Sequence, residues 1–187
     1  MRRILIRFAG SLLLAASLVS ASAKADDAAD ARKAQKLFFE NLSKICGERF
    51  EGVTEFPQDP KHDFAGKKLV IHVESCADNE VRIPFHVGED TSRTWLLKLS
   101  DEGLLLKHDH RHADGTPDEV TMYGGWATEG NEWRQRFAAD GETAKLIPEA
   151  ATNVWTLEFD AAAGRFIYAL ERNGQPRYKA VLSRLKP

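Results

Sequence analysis

The chain has 187 residues, and its 26 basic and 28 acidic side chains leave a formal net charge of −2. That balance offers no electrostatic footprint for nucleic acid or an anionic lipid surface. With 43% hydrophobic residues and no internal repeat, linker or low-complexity tract, one globular domain with its own core is expected.

At the N-terminus, Arg2, Arg3 and Arg7 precede an apolar run from Phe8 to Val19, and small residues lead to Ala23-Lys24-Ala25. The basic, apolar, A-x-A order predicts a secretory signal over residues 1–25. The apolar run is roughly a dozen residues, too short for a bilayer-spanning helix. Cleavage after Ala25 removes four cations (Arg2, Arg3, Arg7 and Lys24) and no acid, which takes the charge from −2 to −6. No second long apolar stretch follows, so the mature form is expected to have no membrane span and to work in the periplasm or outside the cell. In that oxidising setting Cys46 and Cys76, the only cysteines, are expected to form a disulfide.

Residues 26–47 read as a helix. Ala28, Ala29, Ala31 and Ala34 favour it intrinsically, and Leu37, Phe38, Asn41, Leu42 and Ile45 form a stripe at three- and four-residue spacing. Acids at its start and Lys44 near its end match the macrodipole, and Gly47 stands at the C-cap position.

From Glu51 the period falls to two. Leu69, Ile71 and Val73 alternate with other residues, as do Val81, Ile83, Phe85 and Val87. Short strands are predicted further on, over 94–99, 104–112, 119–123, 133–137, 154–159, 165–171 and 177–185. Turn chemistry separates them: Gly88-Glu89-Asp90, Asp114-Gly115, Asp140-Gly141 and, as the strongest hairpin signal, Asn173-Gly174. Thr143–Ala151 interrupts the series as a loop or a short helical turn closed by Pro148. Eight or nine strands joined by tight turns describe an antiparallel meander, and curling it shut removes exposed edges. An all-β, up-and-down barrel over residues 48–187, with the helix packed at one end or across an opening, is the favoured architecture. A β-sandwich is the alternative. Pro84 inside a strand pattern is expected at an edge or a bulge.

Three of six histidines fall in His108-Asp109-His110-Arg111-His112. On a strand, His108, His110 and His112 share one face, about 7 Å apart. A hairpin setting Glu119 opposite His112, Thr121 opposite His110 and Tyr123 opposite His108 would bring His110, His112 and Glu119 together. Two imidazoles and a carboxylate suit zinc, and an open fourth position would let the ion activate water. The same run also reads as a solvated strand in which Asp109 pairs with Arg111. Asp114, Asp118 and Glu119 lack the spacing of a calcium loop. His62, His72 and His86 are scattered and suit solvent-facing positions.

Aromatic residues carry the other candidate site. On inward strand positions, Trp95, Tyr123, Trp126 and Trp155 would fill a small barrel or line a pocket for one apolar ligand. Gly124-Gly125 before Trp126 allows a bulge or a close backbone approach, with the tryptophan stoppering a mouth or lying at a loop corner. No nucleophile elbow, phosphate loop or dinucleotide fingerprint appears.

The run from Leu106 to Gly125, L-K-H-D-H-R-H-A-D-G-T-P-D-E-V-T-M-Y-G-G, resembles a stretch in uncharacterised exported bacterial proteins of similar length, which implies a common fold. The helix-then-meander order resembles lipocalin-like (calycin) barrels, although Glu51-Gly52-Val53 stands where many lipocalins have Gly-x-Trp. The resemblance implies a ligand carrier by analogy of fold. The leading expectation is therefore a non-enzymatic exported barrel, without a cofactor, that binds a small apolar ligand or a partner protein. The alternatives are a metal-binding protein or metal-dependent hydrolase built on the His108–His112 strand, and an interaction protein with a filled core.

Overall fold

The computed structural model describes residues 13–186, so the basic start of the expected export signal lies outside the described residues. Helix α1 (Leu13–Ser43) begins earlier than expected, because the Ala- and Leu-rich run before Asp26 is itself a strong helix former. Asp26, Asp27 and Asp30 consequently fall inside the helix. Its first turn holds no acid and its last turn no base, which corrects the expected match to the macrodipole. A turn follows, and Gly47 adopts φ +87° where the C-cap was expected. Among the described residues no helix is long and apolar enough to cross a membrane.

Eleven strands follow: β1 (Arg49–Phe56), β2 (Leu69–His72), β3 (Ser75–Cys76), β4 (Glu80–Val87), β5 (Asp90–Ser100) and β6 (Gly103–His110). The second half holds β7 (Tyr123–Asn131), β8 (Arg134–Ala138), β9 (Asn153–Asp160), β10 (Arg165–Arg172) and β11 (Gln175–Arg184). They form one sheet in the order β2-β1-β11-β10-β9-β8-β7-β6-β5-β4-β3, and β2 also pairs with β4. That extra pairing closes ten strands into an antiparallel barrel and leaves β3 as a spur on β4. Closure excludes the sandwich, and the count exceeds the eight or nine strands expected. Pro84 stands where the second neighbour of β4 changes, between the β3 partners of Val81 and Arg82 and the β2 partners that begin at Phe85. A residue with no N–H to give costs little at such a break.

Two predicted turns and one predicted strand have different outcomes. Asn173 and Gly174 both take positive φ, 53° and 69°, and join β10 to β11 in a two-residue hairpin as expected. Asp140-Gly141 is not a simple turn. The Asp140 carboxylate accepts from Thr143 N at 2.9 Å and caps a short helix, α2 (Gly141–Leu146), after which Pro148 opens a single 3-10 turn. The segment 119–123, expected as a strand, is mostly loop, and β7 begins only at Tyr123. Gly125 within β7 allows a close approach: a Cβ there would lie 1.8 Å from the Ala138 carbonyl oxygen.

The barrel has two unlike ends. Helix α1 crosses one of them, burying Phe38, Phe39 and Leu42, and Ile45 in the turn beyond it is buried as well. Gln35 ties it down, accepting from Leu104 N at 3.1 Å and donating to the Ala127 carbonyl at 3.2 Å. Asn41 donates to the carbonyl of Glu132 in the β7–β8 turn. Inside, Phe50, Phe85, Trp95, Leu97, Leu106, Trp155, Phe166 and Leu182 are each 2% exposed or less. Full burial of each contributes about 1.5–3 kcal/mol. At the other end, loop 57–68 folds over the mouth between β1 and β2.

Cys46, just past α1, is bonded to Cys76 in β3 across 30 residues, as the sequence predicts. Removing a crosslink over such a loop frees the unfolded chain. The double variant Cys46→Ala/Cys76→Ala is therefore expected to lose about 3–4 kcal/mol of unfolding free energy in urea denaturation, with the fold retained. A loss below about 1 kcal/mol contradicts this bracing role.

Candidate functional site

Strand alternation decides which groups reach the open mouth. On β6, Leu104, Leu106, His108 and His110 take inward positions, while Leu105, Lys107 and Asp109 take outward ones. On β10 the inward set is Phe166, Tyr168 and Leu170, and on β11 it is Tyr178, Ala180 and Leu182. The helix end of the interior is thus aliphatic and phenylalanine-rich, and the mouth end carries histidine, tyrosine and arginine.

His108 lies at the boundary, 3% exposed. Its Nδ1 is 3.1 Å from the Tyr123 carbonyl oxygen and its Nε2 is 3.0 Å from the Tyr168 hydroxyl. The Tyr123 ring stacks on it, centroids 4.7 Å apart and nearly parallel. Burial holds the His108 pKa down at about 3, so the ring is neutral. The half-buried His110 is also lowered, chiefly by burial and then by the Arg93 charge; its Nε2 lies 3.0 Å from the Tyr123 hydroxyl. Burial pushes Tyr123 and Tyr178 up to about 12 and holds Tyr168 well above the ordinary phenol value, which keeps all three phenols protonated.

Arg93 projects inward from β5, opposite His110, and pairs with Asp90. Burial raises the Asp90 pKa, but hydrogen bonds from Ser92 and the Arg93 charge outweigh it and hold the group at about 2. The Arg93 guanidinium sits 5.2 Å from the Phe64 ring centroid. Phe64 stands edge-on to Tyr178 at 5.5 Å, and His62 stacks on the same tyrosine at 5.4 Å. Loop 57–68 is therefore anchored through two aromatic side chains. His62, expected to face solvent, is half-buried in this stack.

Between the loop and the barrel wall lies a cavity of about 480 Å³. Tyr123, Tyr168, Leu170, Tyr178, His62 and Phe64 line its inner part, with Phe56, Asp63, Arg172 and Arg177 towards the rim. Arg172 is held by Asn153, Nε to Oδ1 at 2.8 Å. A second, similarly open pocket of about 550 Å³ at the opposite end, beside Trp133, Arg134 and Glu158, lies away from the histidine–tyrosine network. The mouth cavity is the candidate site.

The residues singled out from sequence scatter across this frame. Tyr123 lines the cavity. Trp95 and Trp155 lie beneath it in the core, 1% and 2% exposed. Trp126 pairs with Leu105, an outward position, and so stands away from the mouth. Tyr168, Tyr178, His62 and Phe64 were not selected. Inward alternation on β10 and β11 carried a signal for the two tyrosines, whereas nothing in an irregular loop marked His62 and Phe64.

His110, His112 and Glu119 are not brought together, and among the described residues no three His, Cys, Asp or Glu side chains are placed to hold a metal ion. The expected register holds at His108 opposite Tyr123 and is lost beyond it. Arg111 instead bridges to Pro117, and Asp118 N donates to the His110 carbonyl. Thr121 Oγ1 accepts from His110 N at 2.7 Å and donates to Asp109. His112 and Glu119 are left exposed on loop 111–122. The carboxylates of Asp114 and Asp118 accept from backbone N–H groups of their own turns. Asp109, 3% exposed, is satisfied on the outer face by Arg111 Nε at 2.9 Å, the expected pairing.

No protein-family model matches the chain, and no curated protein matches it. A closed antiparallel barrel with an N-terminal helix is consistent with a calycin-type architecture, and that architecture is all the likeness carries.

A buried neutral histidine gives a signed pH dependence. The folded pKa of His108, about 3, lies below the unfolded value of 6.5. Between those values the unfolded chain binds more protons, so this contribution is complete above the unfolded pKa and is lost as pH falls. Lowering the pH from about 7.5 to about 5 is expected to cost about 2 kcal/mol through His108. Urea denaturation of the wild type and His108→Gln at both pH values checks this. The variant should lack that part of the loss, and identical pH slopes would contradict the assignment.

Proposed function

We propose that the protein is an exported, non-enzymatic binding protein that takes one small apolar or amphipathic ligand at the barrel mouth opposite α1. The observation that carries this reading is the cavity of about 480 Å³ walled by Phe64, Tyr123, Tyr168 and Tyr178. Its size falls within the range of small-molecule sites. Aromatic rings and polar groups share its wall, and the arginines at the rim favour an amphipathic ligand with its polar end directed outwards.

Export is supported by the signal-like order of residues 1–25 and by the Cys46–Cys76 disulfide, a bond that persists in oxidising compartments. The resemblance of the Leu106–Gly125 stretch to exported bacterial proteins points the same way. The mature form would then begin at Asp26 and occupy the periplasm or the extracellular space. The lower interior is filled by Trp95, Trp155, Phe85 and Phe166, so binding is confined to the mouth.

Leu170→Trp places a larger ring in the cavity wall. Titration with a neutral fluorescent probe, N-phenyl-1-naphthylamine, is expected to saturate near one equivalent in the wild type. The variant should bind at least about tenfold more weakly, with unchanged circular dichroism. Non-saturable wild-type fluorescence, or equal affinity in a folded variant, contradicts the proposal.

A further inference from the structure

Hydrogen-bond directions around the cavity follow from what each partner is able to do. The Tyr123 carbonyl only accepts, so His108 Nδ1 carries the ring proton. Since the ring is neutral, Nε2 has a lone pair, and the Tyr168 hydroxyl must donate to it across 3.0 Å. Tyr168 is left with acceptor capacity alone. Near the mouth, the Tyr178 hydroxyl shares a 3.2 Å bond with Thr54 Oγ1 in which either oxygen can donate. Tyr168 is thus the phenol of the cavity wall that presents an oxygen whose proton is already committed inside the protein.

A ligand that brings only acceptors to the Tyr168 oxygen leaves it unsatisfied and loses its own hydrogen bonds to water. A ligand that brings a donor meets an oxygen made a better acceptor by the bond it already donates. The ring faces of Phe64, Tyr123 and Tyr178 supply aromatic contact on the remaining sides. We infer that the mouth cavity recognises a small hydroxylated aromatic compound, its phenolic O–H directed at the Tyr168 oxygen. This selectivity rests on the binding reading above and gives it a ligand class.

The test uses the intact, disulfide-bonded protein and two probes that share an apolar body, 4-propylphenol and 4-propylanisole, titrated by calorimetry. The ether is the more apolar of the two, so burial of apolar surface alone favours it. Donor recognition predicts the reverse order, with the phenol about 5–10-fold tighter. Tyr168→Phe should reduce that ratio to about 2 or less, and Tyr178→Phe, which leaves the His108 bond intact, should keep the phenol the tighter of the two. Should Tyr168→Phe fail to fold, the order of the two probes on the wild type alone carries the comparison. An ether that binds as well as the phenol, or a ratio untouched in a folded Tyr168→Phe, overturns the ligand class and leaves the cavity reading standing. If neither probe binds, both are overturned.

Discussion

Four residues close the barrel. Strand β2, Leu69–His72, pairs on one side with Arg49–Gly52 of β1 and on the other with Phe85–Val87 of β4. Without it the sheet would expose two edges, each a template for pairing with another chain. Its inward side chains, Leu69 and Ile71, are fully buried beside Phe50 and Phe85, so the shortest member of the ring is held by packing as well as by its ladders. The surrounding backbone reinforces the same point: Gly47 N donates to the Val73 carbonyl and Val73 N to that of Glu48. The disulfide from Cys46 to Cys76 then ties the end of α1 to the segment just beyond β2.

Closure by so short a strand also accounts for the asymmetry of the two ends. β1 runs four residues past its last pairing with β2, to Phe56, while β2 itself begins only at Leu69. The rim at the mouth is therefore uneven, and loop 57–68 fills the step by placing His62 and Phe64 against Tyr178. At the far end α1 seals the interior. Polar groups on inward positions are held where hydrogen-bond partners are within reach: Gln135, near the β7–β8 turn, donates to the Asn131 carbonyl at 2.8 Å, and the imidazoles and phenols gather towards the mouth. His108 marks the depth at which an imidazole survives only as a neutral ring with both nitrogens engaged. Above it the wall is tyrosine.

Much of the architecture was legible in the residues. The alternation in Val81–Val87, the Asn173-Gly174 turn, the lone cysteine pair and the stripe through Phe38, Leu42 and Ile45 each led to the element they form. Other elements were hidden for physical reasons. β1 has Phe50, Gly52 and Thr54 on inward positions, only one of them a large apolar residue, so its period hardly registers. In β7 the inward positions are Tyr123, Gly125 and Ala127, small where the backbone of Ala138–Asp140 comes close. Val120 and Met122 imitated a strand pattern just before it, yet both are exposed in a loop, Met122 with φ +57°. The proposed metal cluster failed at the same place. One correctly read pair, His108 with Tyr123, does not extend to the next when Thr121 and Asp118 bond the His110 backbone. The aromatic candidates were half legible: the inward alternation of β6 and β10 was readable, but which inward rings reach a cavity depends on a loop with no period.

Residue-resolved hydrogen exchange tests ring closure most directly. Amides of Val70 and Ile71 in β2 should exchange on the slow timescale of Leu157 in β9 and Tyr168 in β10, because strands on both sides hold them within the cooperative core. Exchange of Val70 and Ile71 as fast as that of residues 57–68 would show an open sheet at β2 and contradict the barrel on which the mouth and its cavity depend.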